Sequence, residues 1–398
     1  MKSFSVLRTP QTIYYGRDSF QKVGSEAFLL GKKALIISDK IMDHLGYVSE
    51  LRQFLQEARV TSVVYLGVDS EPTDQYVEEA LNLLKNESCE LVITLGGGSC
   101  IDTAKAVAVL ATNGGYIGDY MGGKTIAKNP PIPLIAIPTT AGTGSEATDV
   151  TVITNTKNDV KMMIKQPAFM PTVAIVDPIL TQSSPKSVTA ATGVDALSHA
   201  VEAYLSKKSH PMTDTLALSA MQLLVENIRD AYENGDNLDA REAMALGSLQ
   251  AGMAFTNASV CLVHGMSRPI GALFHVPHGV SNAMLLPAVL EFSKVECIDR
   301  LADLGRIFSQ SKQVLSNEEA AEIAVAEVRK LCLDLNIPNL KDWGVNQEQF
   351  ESAINKMAID ALNSGSPGNS PRVPTQQEIE ELYKVCYNYQ FSGSEVIN

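Results

Sequence analysis

A small set of side chains defines the chemistry this chain could carry. In Gly193-Val-Asp-Ala-Leu-Ser-His199, Asp195 and His199 stand four residues apart, a spacing that puts both on one face of a helix. The segment from Leu262 to Gly279 holds three of the six histidines, His264, His275 and His278. Pro269, Gly271 and Pro277 fall between His264 and His278, so one uninterrupted helix cannot carry both. Asp195, His199, His264 and His278 together offer one carboxylate and three imidazoles to a divalent metal. Oxygen and imidazole donors without thiolate suit Fe(II), Zn(II), Mn(II) or Co(II) and do not choose among them. Taken alone, Asp195 and His199 read as a surface pair; the cluster downstream changes that balance. His275 reads as a further ligand, a supporting partner or a packed residue, and His44 and His210 read as surface residues.

Two glycine- and hydroxyl-rich segments follow apolar runs. Leu95-Gly-Gly-Gly-Ser-Cys-Ile-Asp-Thr-Ala-Lys105 leads from a strand signal into a helix signal. Its glycines would let backbone approach a phosphate, and the helix start offers free N–H groups. Ser99 and Asp102 also fit a capping box, the plain structural alternative, and the segment is not the GxGxxG fingerprint. Ile137-Pro-Thr-Thr-Ala-Gly-Thr-Gly-Ser-Glu146 is the second such segment, again after a strand signal. Two loops of this kind in successive strand–loop units favour a dinucleotide, because parallel sheets bind ligands at the carboxyl ends of their strands. Asp39 ends the first clear apolar strand. A carboxylate there can bind the ribose 2′-OH of NAD and repel the 2′-phosphate of NADP; an exposed aspartate at a strand end is the ordinary alternative.

The elements that must position these groups alternate in the first half. Ala34–Ile37, Val60–Leu66, Leu91–Leu95, Pro133–Ile137 and Thr172–Val176 read as strands. Thr73–Asn86, with Thr73 as N-cap, and Ser99–Thr112 read as helices. Continuous apolar strands alternating with helices predict a parallel sheet covered on both faces, and Asn155-Thr-Lys-Asn158 suggests an exposed hairpin. Beyond residues 178–185 the texture becomes helical, for example over 213–232 and 241–255, and Asn363–Pro371 reads as a loop. The fold class expected is an α/β dinucleotide-binding domain over residues 1–182 and an all-helical metal- and substrate-binding domain over 183–398.

Composition narrows the partners. With 398 residues the chain is long for one core,. A net charge of −13 argues against nucleic acid,. No apolar run reaches the roughly 18 residues of a membrane span, and the N-terminus lacks the apolar stretch of a signal peptide. Six scattered cysteines without CxxC spacing fit reduced thiols in a cytoplasmic protein,.

With these residues in view, the chain resembles the iron-containing (group III) alcohol dehydrogenase family. The resemblance rests on Gly96-Gly-Gly-Ser-Cys-Ile-Asp102, Pro138-Thr-Thr-Ala-Gly-Thr-Gly-Ser-Glu146, Gly193-Val-Asp-Ala-Leu-Ser-His199, His264-Gly-Met-Ser267 and Pro277-His-Gly279, which occur in order along most of the chain. It implies the dehydroquinate synthase-like fold of that family, and Asp195, His199, His264 and His278 as ligands of Fe(II), with Zn(II) or another divalent metal as substitutes. It further implies that Gly97, Gly98 and Ser99, with Asp102 in the same motif, form a pyrophosphate loop. Thr139, Thr140, Thr143 and Ser145 match a second cofactor segment, and Asp39 the carboxylate that selects NAD. Homodimers or larger homo-oligomers are implied as well. The implied reaction moves a hydride between NAD(H) and a small primary alcohol, diol or aldehyde. There is one departure. Many relatives carry histidine where this chain has Arg268, near the active site, which leaves His275 as a candidate for part of that role beside His264 and His278. Phe255 either lines the pocket or packs in the core. The rivals are an NAD- and metal-dependent lyase of the dehydroquinate synthase type, whose phosphate-bearing substrate needs a basic cluster not found near 264–278, and a non-catalytic NAD- or metal-binding scaffold.

Overall fold

The computed structural model describes residues 4–158, 160–309 and 314–392. They form two compact units, one of residues Arg8–Ser184 and one from Pro185 onward that also takes in the first residues of the chain.

The first unit is built on eight strands: β1 (Thr12–Tyr15), β2 (Lys33–Ile37), β3 (Thr61–Tyr65), β4 (Leu91–Gly96), β5 (Leu134–Pro138), β6 (Val150–Asn155), β7 (Val160–Lys165) and β8 (Val173–Val176). Six of them form one parallel sheet in the order β1-β8-β5-β4-β2-β3. Alternate residues of a strand face opposite sides, and the two buried clusters divide accordingly. Leu35, Ile37 and Val92 pack with Val77, Leu81 and Leu84 of helix Asp74–Asn86 and Val107 of helix Gly98–Asn113. Ala34, Ile36, Leu91, Ile93 and Leu95 pack on the other side with Val23 and Ala27 of helix Lys22–Leu30 and Leu51 and Leu55 of helix Tyr47–Glu57. Both faces are therefore covered, which explains why β2, β4 and β5 read as unbroken apolar runs. Thr73 does cap its helix, its Oγ1 accepting from the Tyr76 amide at 3.2 Å. β6 and β7 form the expected antiparallel hairpin. The edge strand β1 carried no expectation: its four residues, Thr-Ile-Tyr-Tyr, are too few to show a period.

The strand order positions the site. From β2 the chain moves outward to β3, then returns to lay β4 on the other side of β2. This reversal sets the carboxyl ends of β2 and β4 side by side, where open α/β sheets form a ligand crevice. Asp39 follows β2, and Gly97, Gly98 and Ser99 follow β4.

In the second unit every named element among the described residues is helical. Helix Lys186–Leu205 is buried along nearly its whole length and carries Asp195 and His199. His264 lies in helix Leu262–Phe274 and His278 opens helix His278–Ser293. The two histidines do come from separate helices, but Pro269 and Gly271 do not cause the break, since both lie inside the first. The break is at 275–277, where His275 takes a left-handed conformation with φ 55° and Pro277 precedes the next helix.

Candidate metal centre and cofactor loops

Asp195, His199, His264 and His278 each offer a ligand atom, and these atoms all lie within 4.8 Å of one another. Asp195 Oδ1 is 3.6 Å from His264 Nε2 and 3.9 Å from His199 Nδ1. Gly279 lets the third helix approach this closely, because a Cβ there would lie 3.1 Å from the Ala191 carbonyl oxygen. Asp195, His199 and His264 are buried, and His278 is half-buried, so the group is accessible from the His278 side. Burial opposes a charged Asp195, yet His199, His278 and His264 around it hold its carboxyl well below the usual range. Burial drives His199 down to about 3. At neutral pH this leaves an ionised carboxylate beside a neutral imidazole, the forms that bind metal. His199 Nδ1 is buried without a hydrogen-bond partner, an orphaned lone pair or N–H of the kind a bound cation would explain. Three nitrogens and one oxygen converging at this separation fit a divalent transition metal.

A residue that sequence reasoning missed holds His264. Helix Leu262–Phe274 has no side-chain cap of its own at Cys261. Glu202, one turn beyond His199 and buried, supplies it from the neighbouring helix: Oε2 accepts from the Cys261 amide at 2.9 Å and Oε1 from the Val263 amide at 2.6 Å. The same Oε2 lies 2.7 Å from His264 Nδ1. In the neutral tautomer that donates from Nδ1 to Glu202, the Nε2 lone pair of His264 faces the ligand group, the arrangement that fixes ring orientation in metal sites; burial opposes the charged imidazole, yet Asp195 and Glu202 hold its pKa above the ordinary value. The signal was present in the spacing 195, 199, 202 along one helical face. On the other side Phe255 stacks on His199, centroids 4.3 Å apart and planes 17° apart, so it backs a member of the candidate ligand group.

In the first unit the two glycine-rich segments lie against each other. A Cβ on Gly98 would meet Thr143 Cγ2 at 2.7 Å, and one on Gly97 would come within 3.7 Å of Thr140. The Thr139 amide donates to the Gly96 carbonyl at 3.1 Å. Gly97 caps helix Gly98–Asn113 without any side-chain bond, so the Ser99–Asp102 capping box does not form. Asp102 instead reaches the second segment, accepting from Ser145 Oγ at 2.6 Å and the Val152 amide at 2.8 Å. Burial raises its pKa, with Lys105 opposing. Lys105, fully buried and not anticipated, donates to Ser145 Oγ, Thr148 Oγ1 and the Val150 carbonyl at 2.7–2.8 Å. Burial lowers it to about 8 against the attraction of Asp102, Glu146 and Asp149. Asp102 and Ser145 are thus spent on a brace between the segments. Gly97, Gly98, Ser99, Thr140 and Thr143 are only half-buried. Asp39 Oδ1 caps the next helix, accepting from Ile41 and Met42 amides at 2.8 and 2.9 Å, and Oδ2 faces Cys100 Sγ at 3.8 Å.

Two family models match, iron-containing alcohol dehydrogenase over residues 10–178 and the C-terminal part of the Fe-containing alcohol dehydrogenase family over 189–387. The chain belongs to the iron-containing alcohol dehydrogenase family. It is similar to a 1,3-propanediol dehydrogenase of Citrobacter freundii, 40% identical over 95% of this chain and 97% of that one. It is also similar to an NAD-dependent methanol dehydrogenase of Bacillus methanolicus, 37% identical over 94% and 98%. A solved 1,3-propanediol oxidoreductase superposes with TM-score 0.92 at 39% identity, covering 96% of this chain and all of that one.

Within this dehydrogenase the remaining candidates are not part of the ligand group. His275 is exposed at the end of its helix. Arg268, one turn beyond His264, donates from Nη1 to Ser366 Oγ at 2.9 Å. Burial lowers its pKa to about 10, with Glu202 opposing, so it stays cationic at neutral pH. His44 is exposed as expected, whereas His210 is half-buried with both ring nitrogens unpartnered.

Proposed function

We propose that this NAD-dependent oxidoreductase interconverts small primary alcohols or diols and their aldehydes, with Asp195, His199, His264 and His278 holding Fe(II) or a substitute divalent ion. The observation that carries the assignment is the convergence of those four donors on one point, with His264 locked by Glu202. When bound, the metal supplies Lewis acidity toward the substrate oxygen and NAD supplies the hydride acceptor. The chain's own part is positional. Glu202 orients His264, Phe255 backs His199, and the half-buried Gly97, Gly98, Ser99, Thr140 and Thr143 offer backbone N–H and hydroxyl groups to the pyrophosphate. We assign Oδ2 of Asp39, which holds only the weak contact from Cys100 Sγ, to the ribose hydroxyls, and Asp102, Thr139 and Ser145 to support of the loops rather than contact with cofactor. Arg268 is assigned a permanent positive charge near the metal ligands, and His275 no direct role. The metal-dependent lyase and the non-catalytic scaffold have no support among the relatives, which include dehydrogenases and a lactaldehyde reductase. A homodimer or larger assembly, and a cytoplasmic setting for six free buried thiols, belong to the same proposal.

The test is a panel of alcohols, diols and aldehydes with NAD(H) and NADP(H) on Fe(II)- and Zn(II)-loaded protein. Chelation should abolish turnover, a divalent ion should restore it, and His264→Ala should lose the metal. Full activity in metal-free protein overturns the assignment.

A further inference from the structure

One cation beside the ligand group has no counter-charge of its own. Arg268 stands four residues after His264 in helix Leu262–Phe274, so the two side chains share a face. It is half-buried, and among the described residues it forms no ion pair. The carboxylate that favours its charged form, Glu202, is already engaged by the Cys261 and Val263 amides and by His264 Nδ1. Nη1 donates to Ser366 Oγ at 2.9 Å. Nε and Nη2 donate to no described residue, and unlike Nε of Arg300 they are not sealed from solvent.

Ser366 fixes how the guanidinium is turned. It is buried, and the next residue, Pro367, lies so close to the helix that a Cβ on Gly265 would come within 2.8 Å of its ring. With Nη1 tied to this hydroxyl, the Nε–Nη2 edge is left over. That edge carries two parallel N–H groups, the fork that matches the two oxygens of a carboxylate. Charge points the same way. With a divalent ion on the ligand group, the ion and Arg268 supply three positive charges against two negative ones from Asp195 and Glu202, and one anion balances the site.

Resting on the oxidoreductase reading above, we propose that the substrate is a short aldehyde carrying a carboxylate, or in reverse the matching hydroxy acid, with the Nε–Nη2 edge of Arg268 holding the carboxylate. The aldehyde carbon takes a hydride from NADH and its oxygen takes a proton. The products are the hydroxy acid and the oxidised cofactor, and the carboxylate is unchanged.

The experiment compares succinate semialdehyde with its neutral amide as substrates of the Fe(II)-loaded protein with NADH, in wild type, Arg268→Ala, Arg268→Lys and Ser366→Ala. Butanoate and butanamide, tested as competitive inhibitors of butanal reduction, read affinity for the head group without its turnover. In wild type kcat/KM should favour the carboxylate by about 30-fold, the lower end of what one partner of such a charge pair contributes, and butanoate should inhibit more strongly than butanamide. Arg268→Ala should bring both ratios close to one, with the loss in KM for the carboxylate and not in KM for NADH. Arg268→Lys keeps the charge without the fork, and it should keep only part of the preference, about three- to tenfold. Ser366→Ala, which frees the guanidinium to turn, should lower the preference too. A wild type that does not favour the carboxylate overturns the proposal, and that result needs no variant to fold. Equal loss of both substrates in Arg268→Ala overturns it as well, and makes Arg268 a tie between its helix and Ser366. A loss confined to NADH does the same and makes it a cofactor anchor. Wild type that reduces butanal without preferring the carboxylate refutes only the substrate class, whereas wild type that reduces no aldehyde sinks the oxidoreductase reading itself.

Discussion

Glu202→Gln isolates the carboxylate that ties helix Leu262–Phe274 to the candidate metal centre. In the native protein three N–H groups converge on it: the Cys261 and His264 Nδ1 groups on Oε2 and the Val263 amide on Oε1. Glutamine keeps the shape but offers one oxygen and one NH2. With its oxygen toward Cys261 and His264, the NH2 faces the Val263 amide, and one buried donor loses its acceptor. In the other orientation two donors lose theirs. Each orphaned donor costs about 1–3 kcal/mol, and the hydrogen bonds that survive lose their charge assistance. The metal-free variant should therefore be less stable by about 3 kcal/mol, a sizeable share of the roughly 5–15 kcal/mol of a whole domain. Metal affinity should fall separately, by about 10–100-fold, because His264 Nδ1 then donates to a neutral amide oxygen rather than a carboxylate, which makes the imidazole a poorer and less firmly oriented donor,. Urea denaturation of metal-free protein reads the first effect and chelator competition the second. If stability falls while metal affinity stays within about twofold, Glu202 only caps the helix. If neither moves, the reasoning about this carboxylate is wrong.

Removing the carboxylate of Asp39 should relax cofactor choice: Asp39→Gly should raise the NADP-to-NAD ratio of kcat/KM, while the lost cap at Ile41 and Met42 costs only a few tenths of a kcal/mol of stability, glycine being itself a fair N-cap. A wild type that already prefers NADP would refute the assignment. Arg268→Ala should weaken binding of polar or anionic aldehydes more than apolar ones of similar size and leave metal content unchanged; equal KM changes for both classes would count against it. The buried Glu146 makes a pH prediction. Burial raises its pKa from 4.5 to about 7, so the folded state holds its proton more tightly than the unfolded chain. The resulting stabilisation is complete below about pH 4.5 and is lost as pH rises through about 7, by up to about 3 kcal/mol. Glu146→Gln should therefore gain stability over wild type between pH 5 and pH 8 in urea denaturation, and parallel pH profiles would show that the group does not titrate in this range.

What could be read from residues alone followed from how local each signal is. The strands β2, β4 and β5 announced themselves because both faces of the sheet are buried, which leaves their inner positions apolar apart from Thr94 of β4,. The candidate ligand group was legible because imidazoles are rare, and six histidines with three in one short segment already suggest convergence. The residues that make these groups work were harder to see because their role exists only between elements. Glu202 is one acid among 45 acidic residues until helix Leu262–Phe274 arrives with its uncapped N–H groups. Lys105 follows a glycine-rich turn like any solvent-facing lysine, and only the packing of segment 145–150 on its helix shows that it is buried. Pro269 misled in the opposite direction. Local chemistry makes proline a helix breaker, yet the helix runs through it and stops at His275, because a helix held at its start by Glu202 and packed along its length tolerates one missing hydrogen bond. The same asymmetry applies to Asn282. Four residues after His278, it looks like a neutral helix residue, yet it meets Asp195 and His264 from two other helices as well as His278 from its own.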